Sequence, residues 1–356
     1  MNSKRLYLDI HALQVLPPSC VNRDDTNTPK TCIYGGKTRA RVSSQSWKRA
    51  ARIYMRDHDL GDIGKRTRKF KSCIIETLSS EYGFTEEEAS KAAELAIKNS
   101  GVASGKDDAK DVIALFSDTE INEFAKVIAE NKETALGKTK SDKTKSKEFS
   151  KALVKAIKEN PSTDILLFGR MFANKPELNY DAACQVAHAI SVNEARTEYD
   201  YFTAVDDLSG EEENGSAHIN TKQFTDPVFY RYANVNLSDT SELVRLDKNH
   251  AAEAARNFLE AFILSMPTGS ANGYANRTLP DYVFVAIRDD MPVSFAPAFI
   301  KVVNSDNYQE EAERKMQEYA EKISANYGAP AAVFSLKDNS FKEILSKVEE
   351  EISRRL

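Results

Sequence analysis

The chain has 356 residues, 41% hydrophobic and 29% charged, with a net charge of −5 at pH 7. That composition suits a globular protein with a sizeable core, arranged as one large domain or two to three modules. An acidic balance argues against loose, whole-surface nucleic-acid binding but permits a local cationic groove. No apolar run is long enough to cross a bilayer, no signal-peptide core opens the chain, and Cys20, Cys32, Cys73 and Cys184 form no CxxC pair. The expectation is a cytoplasmic protein with reduced thiols and no membrane partner.

In chain order, Arg5 to Leu16 alternates as a strand, with Leu6, Leu8, Ile10 and Ala12 on one side and Tyr7, Asp9, His11 and Leu13 on the other. Residues 17–25, rich in Pro, Asn and Asp, read as a turn-rich loop. Residues 35–56 are the centre of the functional reading. Gly35-Gly36 suits a turn, Thr38 to Val42 alternates with arginines as a short strand, and Ser43 and Ser44 suit a helix N-cap. A helix from about Gln45 places Lys48, Arg52 and Arg56 on one face and Trp47, Ala51 and Tyr54 on the other. Free amides and hydroxyls at a helix start hold phosphate, and flanking cations add attraction. The plainer alternative is a solvated basic helix with an ordinary cap. From Lys30 to Lys71 there are thirteen Lys or Arg against three Asp, a local net of +10 that leaves −15 for the remainder. That asymmetry points to a polyanion-facing patch.

From about Gly61 to Val192 the sequence is helical in character, with a helix start at Thr85-Glu86-Glu87-Glu88. Lys138 to Lys158 holds eight lysines against Asp142 and Glu148, which reads either as a solvated linker, especially over Gly137–Ser146, or as a second phosphate contact, to duplex DNA. Ser162-Thr163-Asp164 caps a predicted helix containing Leu166, Phe168, Met171 and Phe172, and Asp181 to Val192 reads as another helix, with His188 a core histidine on it. Tyr201 to Leu208 and Ile219 to Phe224 form a predicted hairpin with an acidic tip at Ser209–Gly215. Val228 to Leu237 is the strongest strand. Asn249 to Leu264 is a helix, 266–273 a loop, Tyr282 to Ile287 a strand, Glu310 to Asn326 a helix and Ala331 to Leu336 a last strand. Strands and helices interleave around a helical insertion. The simplest body is an α+β protein built on a split βαβ sheet of ferredoxin or RNA-recognition-motif style.

Two enzyme-like or regulatory readings compete. Asp206 and Asp207 lie near Glu211, Glu212, Glu213 and His218, and carboxylates hold Mg²⁺ in a metal-dependent endoribonuclease. The plainer account is an acidic, exposed hairpin tip, because adjacent aspartates on a strand point to opposite faces. A sequence-specific regulator needs base-reading side chains, and the basic helix has no Asn or Gln on its cationic face. His11, His58, His188, His218 and His250 lack ligand spacing, and Gly35-Gly36-Lys37 lacks the remainder of a P-loop.

Five short strings in the same order carry a resemblance: Asn22-Arg23-Asp24-Asp25 with Gly35-Gly36-Lys37, Arg41-Val42-Ser43-Ser44-Gln45-Ser46, Tyr201-Phe202-Thr203-Ala204-Val205-Asp206-Asp207, Gly215-Ser216-Ala217-His218, and Phe229-Tyr230-Arg231-Tyr232-Ala233-Asn234. Together they resemble the CasC family, the backbone subunit of the type I-E CRISPR Cascade surveillance complex. The resemblance weakens between about Asp57 and Asn160. It implies a modified RNA-recognition-motif (ferredoxin-like) palm over residues 1–60 and 226–356, a helical fingers insertion over 61–192 and a β-hairpin thumb over 193–225. It implies several copies stacked head to tail along a guide RNA (crRNA), displaying it for pairing with target DNA alongside other Cascade subunits, with no catalysis and no cofactor. By that resemblance Arg23, Lys37, Arg41, Ser43, Ser44, Gln45, Lys48, Arg49 and Arg52 fall on the palm segment that holds phosphates. Tyr201, Phe202, Thr203 and Val205 fall on the thumb, and Met171 on the finger segment that wedges into the guide. Thr268 to Gly273 matches a loop that approaches the guide backbone, with Gly269 and Asn272 amides as its donors. For Phe202 and Met171 the alternative is ordinary core packing.

Overall fold

The computed structural model describes residues 4–102, 113–138, 143–173, 175–204 and 218–356. By internal contact the chain divides into two units. The first comprises Met1–Tyr54, Gln185–Asp239 and Ala251–Leu356, and the second Met55–Cys184 and Thr240–His250.

The strands are β1 (Tyr7–Val15), β2 (Thr31–Tyr34), β3 (Lys37–Val42), β4 (Lys65–Thr67), β5 (Ala114–Phe116), β6 (Cys184–Val186), β7 (Ala189–Ser191), β8 (Glu198–Ala204), β9 (His218–Phe224), β10 (Val228–Asn236), β11 (Tyr282–Arg288) and β12 (Ala332–Ser335). The helices are α1 (Ser44–Asp57), α2 (Phe70–Tyr82), α3 (Glu86–Ser100), α4 (Asp118–Glu130), α5 (Lys132–Ala135), α6 (Lys143–Lys158), α7 (Thr163–Phe168), α8 (Glu242–Leu246), α9 (Lys248–Leu264), α10 (Ala271–Tyr274), α11 (Tyr308–Tyr327) and α12 (Phe341–Arg355).

The first unit is organised on one sheet in the order β12-β11-β1-β10-β7-β3-β2, with β6 also paired to β10. β1 lies inside it, antiparallel to β10 on one side and β11 on the other. Leu8 to Gln14 are buried without interruption, because helices and loops cover both faces. The polar members of β1 are accommodated by partners: the Tyr232 hydroxyl donates to Asp9 at 2.8 Å, and His11 Nδ1 lies 2.9 Å from the Tyr230 hydroxyl. Along the chain, β1, α1, β7, β10, α9 and β11 make a βαββαβ run whose strands lie in the order β11-β1-β10-β7. The α+β expectation is therefore met, with a strand order compatible with a ferredoxin-like body.

Alternation on β10 separates the two sides of this sheet. Tyr230 and Tyr232 pack with Phe295, Phe299, Val303 and Met316, which brings α11 onto one face. Phe229 packs with Trp47, Val42 and Leu16 on the other. There the Arg231 guanidinium lies 3.8 Å from the Trp47 ring centroid and 4.7 Å from that of Phe262, so α1 and α9 meet over it. The hairpin β8–β9 is a separate two-stranded ribbon with Phe202 opposite Asn220.

The second unit is mainly helical. Its core joins Phe70, Ile74 and Leu78 of α2, an alanine stripe on α3 (Ala89, Ala92, Ala93, Ala96), and apolar faces of α4 and α6. Reciprocal capping boxes open α3 (Thr85 with Glu88) and α4 (Ser117 with Glu120). β4 and β5 add a small antiparallel ribbon.

Three local expectations are corrected. Residues 181–192 form no helix: Val186 and Ile190 sit in the short strands β6 and β7, and Ser191 and Ile190 pair with Phe229 and Tyr230. The small apolar composition suits either state, and the waiting ladder edges of β10 and β3 decide it. α7 ends at Phe168 because Gly169 takes φ 80°, so Met171 and Phe172 lie beyond the helix. Residues 143–158 are helical rather than linker, with Phe149, Leu153 and Ile157 buried.

Gly169 frees Arg170 to turn inward. Its guanidinium donates to both oxygens of Glu120 at 2.6 and 2.8 Å, with both side chains essentially sealed from solvent. Arg170→Ala leaves that carboxylate buried and unpaired. The expected loss is about 3–5 kcal/mol in urea unfolding, and a loss under about 1 kcal/mol would show that the pair does not hold this unit together.

Candidate nucleic-acid interface

The loop after β1 is stitched onto the start of α1 by one side chain. Asn22 Oδ1 accepts from the Ser43 amide at 3.0 Å, and Asn22 Nδ2 donates to the Ser46 hydroxyl at 3.1 Å. The loop is braced internally by Asp24, whose carboxylate accepts from the Thr26 and Thr28 amides at 3.0 Å and from both hydroxyls at 2.8 Å. Those bonds, led by the Thr26 and Thr28 hydroxyls, hold the Asp24 carboxyl down at about 2. Arg23 in turn donates to Asn27 Oδ1 at 2.6 Å, and Asn27 occupies the left-handed region at φ 69°.

Between this loop, one face of α1 and the segment Met266–Gly269 runs a groove of about 480 Å³, with Arg23 and Arg49 as its cations and Ser46 beside them. Gly269 is what lets the two loops approach: a Cβ there would stand 1.9 Å from the Val21 carbonyl oxygen. The groove therefore includes Thr268 and Gly269 of the expected backbone-approaching loop, whereas Asn272 lies on the short helix α10.

A second cationic cluster adjoins Ser43. Its hydroxyl lies 3.3 Å from Lys30 Nζ and 3.5 Å from Arg41 NH1, while its carbonyl accepts from the Ser46 and Trp47 amides at the helix start. Arg41 NH1 also donates to His188 Nδ1 at 3.2 Å. His188 is thus no core histidine on an apolar helix. It is exposed in the bend between β6 and β7, because the pairing of Arg41 and Val42 with Ile190 and Ala189 brings that bend beside the cations. Partial burial, Arg41 and Lys30 together lower its pKa.

The other expected residues are distributed differently. Lys37 sits at the hairpin end of β3, paired with Glu194 at 3.2 Å and about 13 Å along the strand from Arg41. Arg39 between them is fully buried and donates to the carbonyls of Ser191, Val192 and Phe299. On α1, Trp47 and Ala51 face the core and Ser46 and Arg49 the groove. At about 100° per residue, Lys48 and Arg52 occupy a third face. Gln45 is exposed in the first turn, and the Ser44 hydroxyl donates to its Oε1 at 3.4 Å.

On the β8–β9 ribbon Tyr201 is 73% exposed and Phe202 36%, and Lys222 Nζ lies 4.7 Å above the Phe202 ring. Thr203 is also exposed. In the second unit Met171 is 78% exposed. Exposure on this scale excludes ordinary core packing for Phe202 and Met171. Val205, Asp206 and Asp207 lie outside the described residues. Of the Lys138–Lys158 cations, Lys158 donates to the Asn179 carbonyl over the Tyr180 ring and Lys155 pairs with Glu159. Sequence reasoning does not place Lys30, Asn22 or His188 beside Ser43 and Arg41 at the helix start. Lys30 opens the basic run and Asn22 lies just ahead of it, within reach of its charge pattern, whereas no sequence signal brings His188 to this place. Among the described residues no helix is long and apolar enough to cross a membrane.

A fold of this kind, a mixed sheet body with a cationic groove at a helix start, has known relatives. The family model for CT1975-like proteins matches residues 8–354, and the chain belongs to that family. It is similar to a solved chain titled "CRISPR RNA-guided surveillance complex, pre-nicking", with 33% identity, TM-score 0.81, and coverage of 98% of this chain and 100% of that one. A second, titled "CRISPR RNA-guided surveillance complex", gives 30% identity and TM-score 0.62 over the same shares. No curated protein matches the chain. The resemblance read from the five motifs therefore holds.

The close contact at Gly269 gives a direct test. Gly269→Ala forces the Met266–Gly269 segment away from Val21, with an expected cost of about 1–3 kcal/mol. Thermal unfolding measures that cost, and an unchanged midpoint would show that the two loops are not held together.

Proposed function

We propose that this protein is a non-catalytic, guide-RNA-binding backbone subunit of a type I-E Cascade complex. Copies stack along crRNA and display it for pairing with target DNA. The observation that carries this reading is the groove in which Arg23 and Arg49 stand beside the N-terminal turn of α1. Its full-length similarity to chains of RNA-guided surveillance complexes supports it.

A display scaffold must grip a strand without preferring a sequence. Phosphate contacts position a nucleic acid without reading it, so arginines, hydroxyls and amides suffice. Tyr201 and Phe202, exposed on the ribbon, offer flat apolar surfaces that accept any base, since every base has a π-face. Met171 is the corresponding exposed side chain of the second unit. Lys37, Lys48 and Arg52 act as outlying phosphate contacts in this reading, away from the groove.

Two experiments test it. Arg23→Ala with Arg49→Ala is expected to weaken binding of unrelated single-stranded RNAs by similar factors and to flatten the log–log salt dependence by about 0.7 per lost contact. Sequence-dependent losses, or none, would remove the groove from the interface. Phe202→Ala is expected to leave the unfolding midpoint within the range of a surface change, about 0.5 kcal/mol, while altering the nuclease footprint on bound guide RNA. An unaltered footprint would mean that the ribbon does not shape the RNA path.

A further inference from the structure

Several cations of the basic segment are already satisfied within the protein. Lys37 pairs with Glu194, Arg56 with Asp57, and Arg39 is spent on backbone carbonyls. Lys30, Arg41 and His188 differ. They converge from three segments, the stretch ahead of β2, the strand β3 and the β6–β7 bend, and their polar contacts are with Ser43, the Thr31 carbonyl and each other. The charged groups that act on His188 are Arg41 and Lys30, both cationic, and no carboxylate among the described residues offsets them. Two cations that share the Ser43 hydroxyl, with a polar imidazole held on one of them, describe a place for an anion.

The hydrogen bond to Arg41 fixes the state of the imidazole. A guanidinium only donates, so Nδ1 of His188 is the acceptor and the ring proton sits on Nε2 of an exposed side chain. The ring is therefore neutral in this hydrogen bond, the form that partial burial and the two cations favour. A phosphodiester placed among the three reverses the local field. An anion beside an imidazole favours the imidazolium, Nδ1 then becomes a donor, and Arg41 is released to donate to the phosphate instead.

We propose that Lys30, Arg41 and His188 form a single phosphodiester site for the RNA backbone, at which His188 takes up one proton from solvent as the RNA binds. The proposal rests on the RNA-binding reading and deepens it: the grip becomes pH-dependent while staying indifferent to base sequence. The sign follows from linkage. With RNA raising the proton affinity of His188, binding strengthens as pH falls through the interval between the free and the bound titration of the ring, and levels off outside it.

The test is the affinity of full-length protein for a fluorescein-labelled, mixed-sequence single-stranded RNA, measured from pH 5.5 to 8.5 at constant ionic strength. Wild type is expected to bind about tenfold more tightly at the acid end, which corresponds to a roughly tenfold gain in the proton affinity of one imidazole. His188→Gln, which preserves size and polarity without titrating in this range, is expected to lose that dependence. As a second readout, the His188 imidazole, followed by NMR in the intact chain, is expected to titrate at higher pH when the RNA is added. RNA binding with the same pH profile in wild type and His188→Gln, or an imidazole titration unmoved by RNA, overturns the proton linkage alone. A wild-type protein that binds no RNA at any pH overturns the RNA-binding reading and the linkage with it.

Discussion

A guanidinium that pairs with no carboxylate among the described residues lies at the centre of the first unit, and the placement of the basic helix depends on it. Arg231 projects from β10, is fully buried, and sits between the rings of Trp47 and Phe262. It donates to Gln14 Oε1 at 2.7 Å and to the Phe262 carbonyl. Burial pulls its pKa down to about 9. Burying a charge is costly, and here cation–π attraction and the neutral acceptors offset that cost. The arrangement sets where Trp47 sits, and thereby how α1 is rotated about its axis. With Trp47 and Ala51 turned to the core, the helix period turns Ser46 and Arg49 to the groove and leaves Lys48 and Arg52 elsewhere.

The same rotation sorts the charges. The dense run of lysine and arginine between Lys30 and Lys71 serves three ends. Some of it is structural, as Arg39 shows by donating to backbone carbonyls. Some is paired on the surface, as with Lys37 and Glu194 or Lys65 and Asp118. Arg49, Arg41 and Lys30 stand beside the helix start, where charge favours an anion. The Asn22 and Asp24 bonds then fix the neighbouring loop, adding Arg23 from a different part of the chain.

Legibility follows the range of the interactions involved. The start of α3 is plain because Thr85 and Glu88 satisfy each other's backbone within one turn. The same local signal, Ser340 three residues before Glu343, opens α12. β1, β10 and β11 are readable from dense apolar runs. Residues 181–192 are not, since small apolar residues suit helix and strand alike and only the flanking strands β10 and β3 decide between them. Met171 falls on a helix by pattern because its apolar neighbours continue the period, while the left-handed backbone of Gly169 ends α7 first. For the site, the hydroxyls and cations of residues 37–52 are visible as a pattern, but their facing is not.

By itself the sequence determined the α+β class, the motifs of the family, and the concentration of cations near one helix start. These are local or compositional properties, expressed within a few residues of one another. The tertiary structure alone decided that Arg39 is internal, that Arg23 and Arg49 share a groove with Gly269, and that His188 stands beside Arg41. Each of those outcomes depends on strand pairing or loop contact between segments far apart in the chain, whose energies come from partners that no local pattern names.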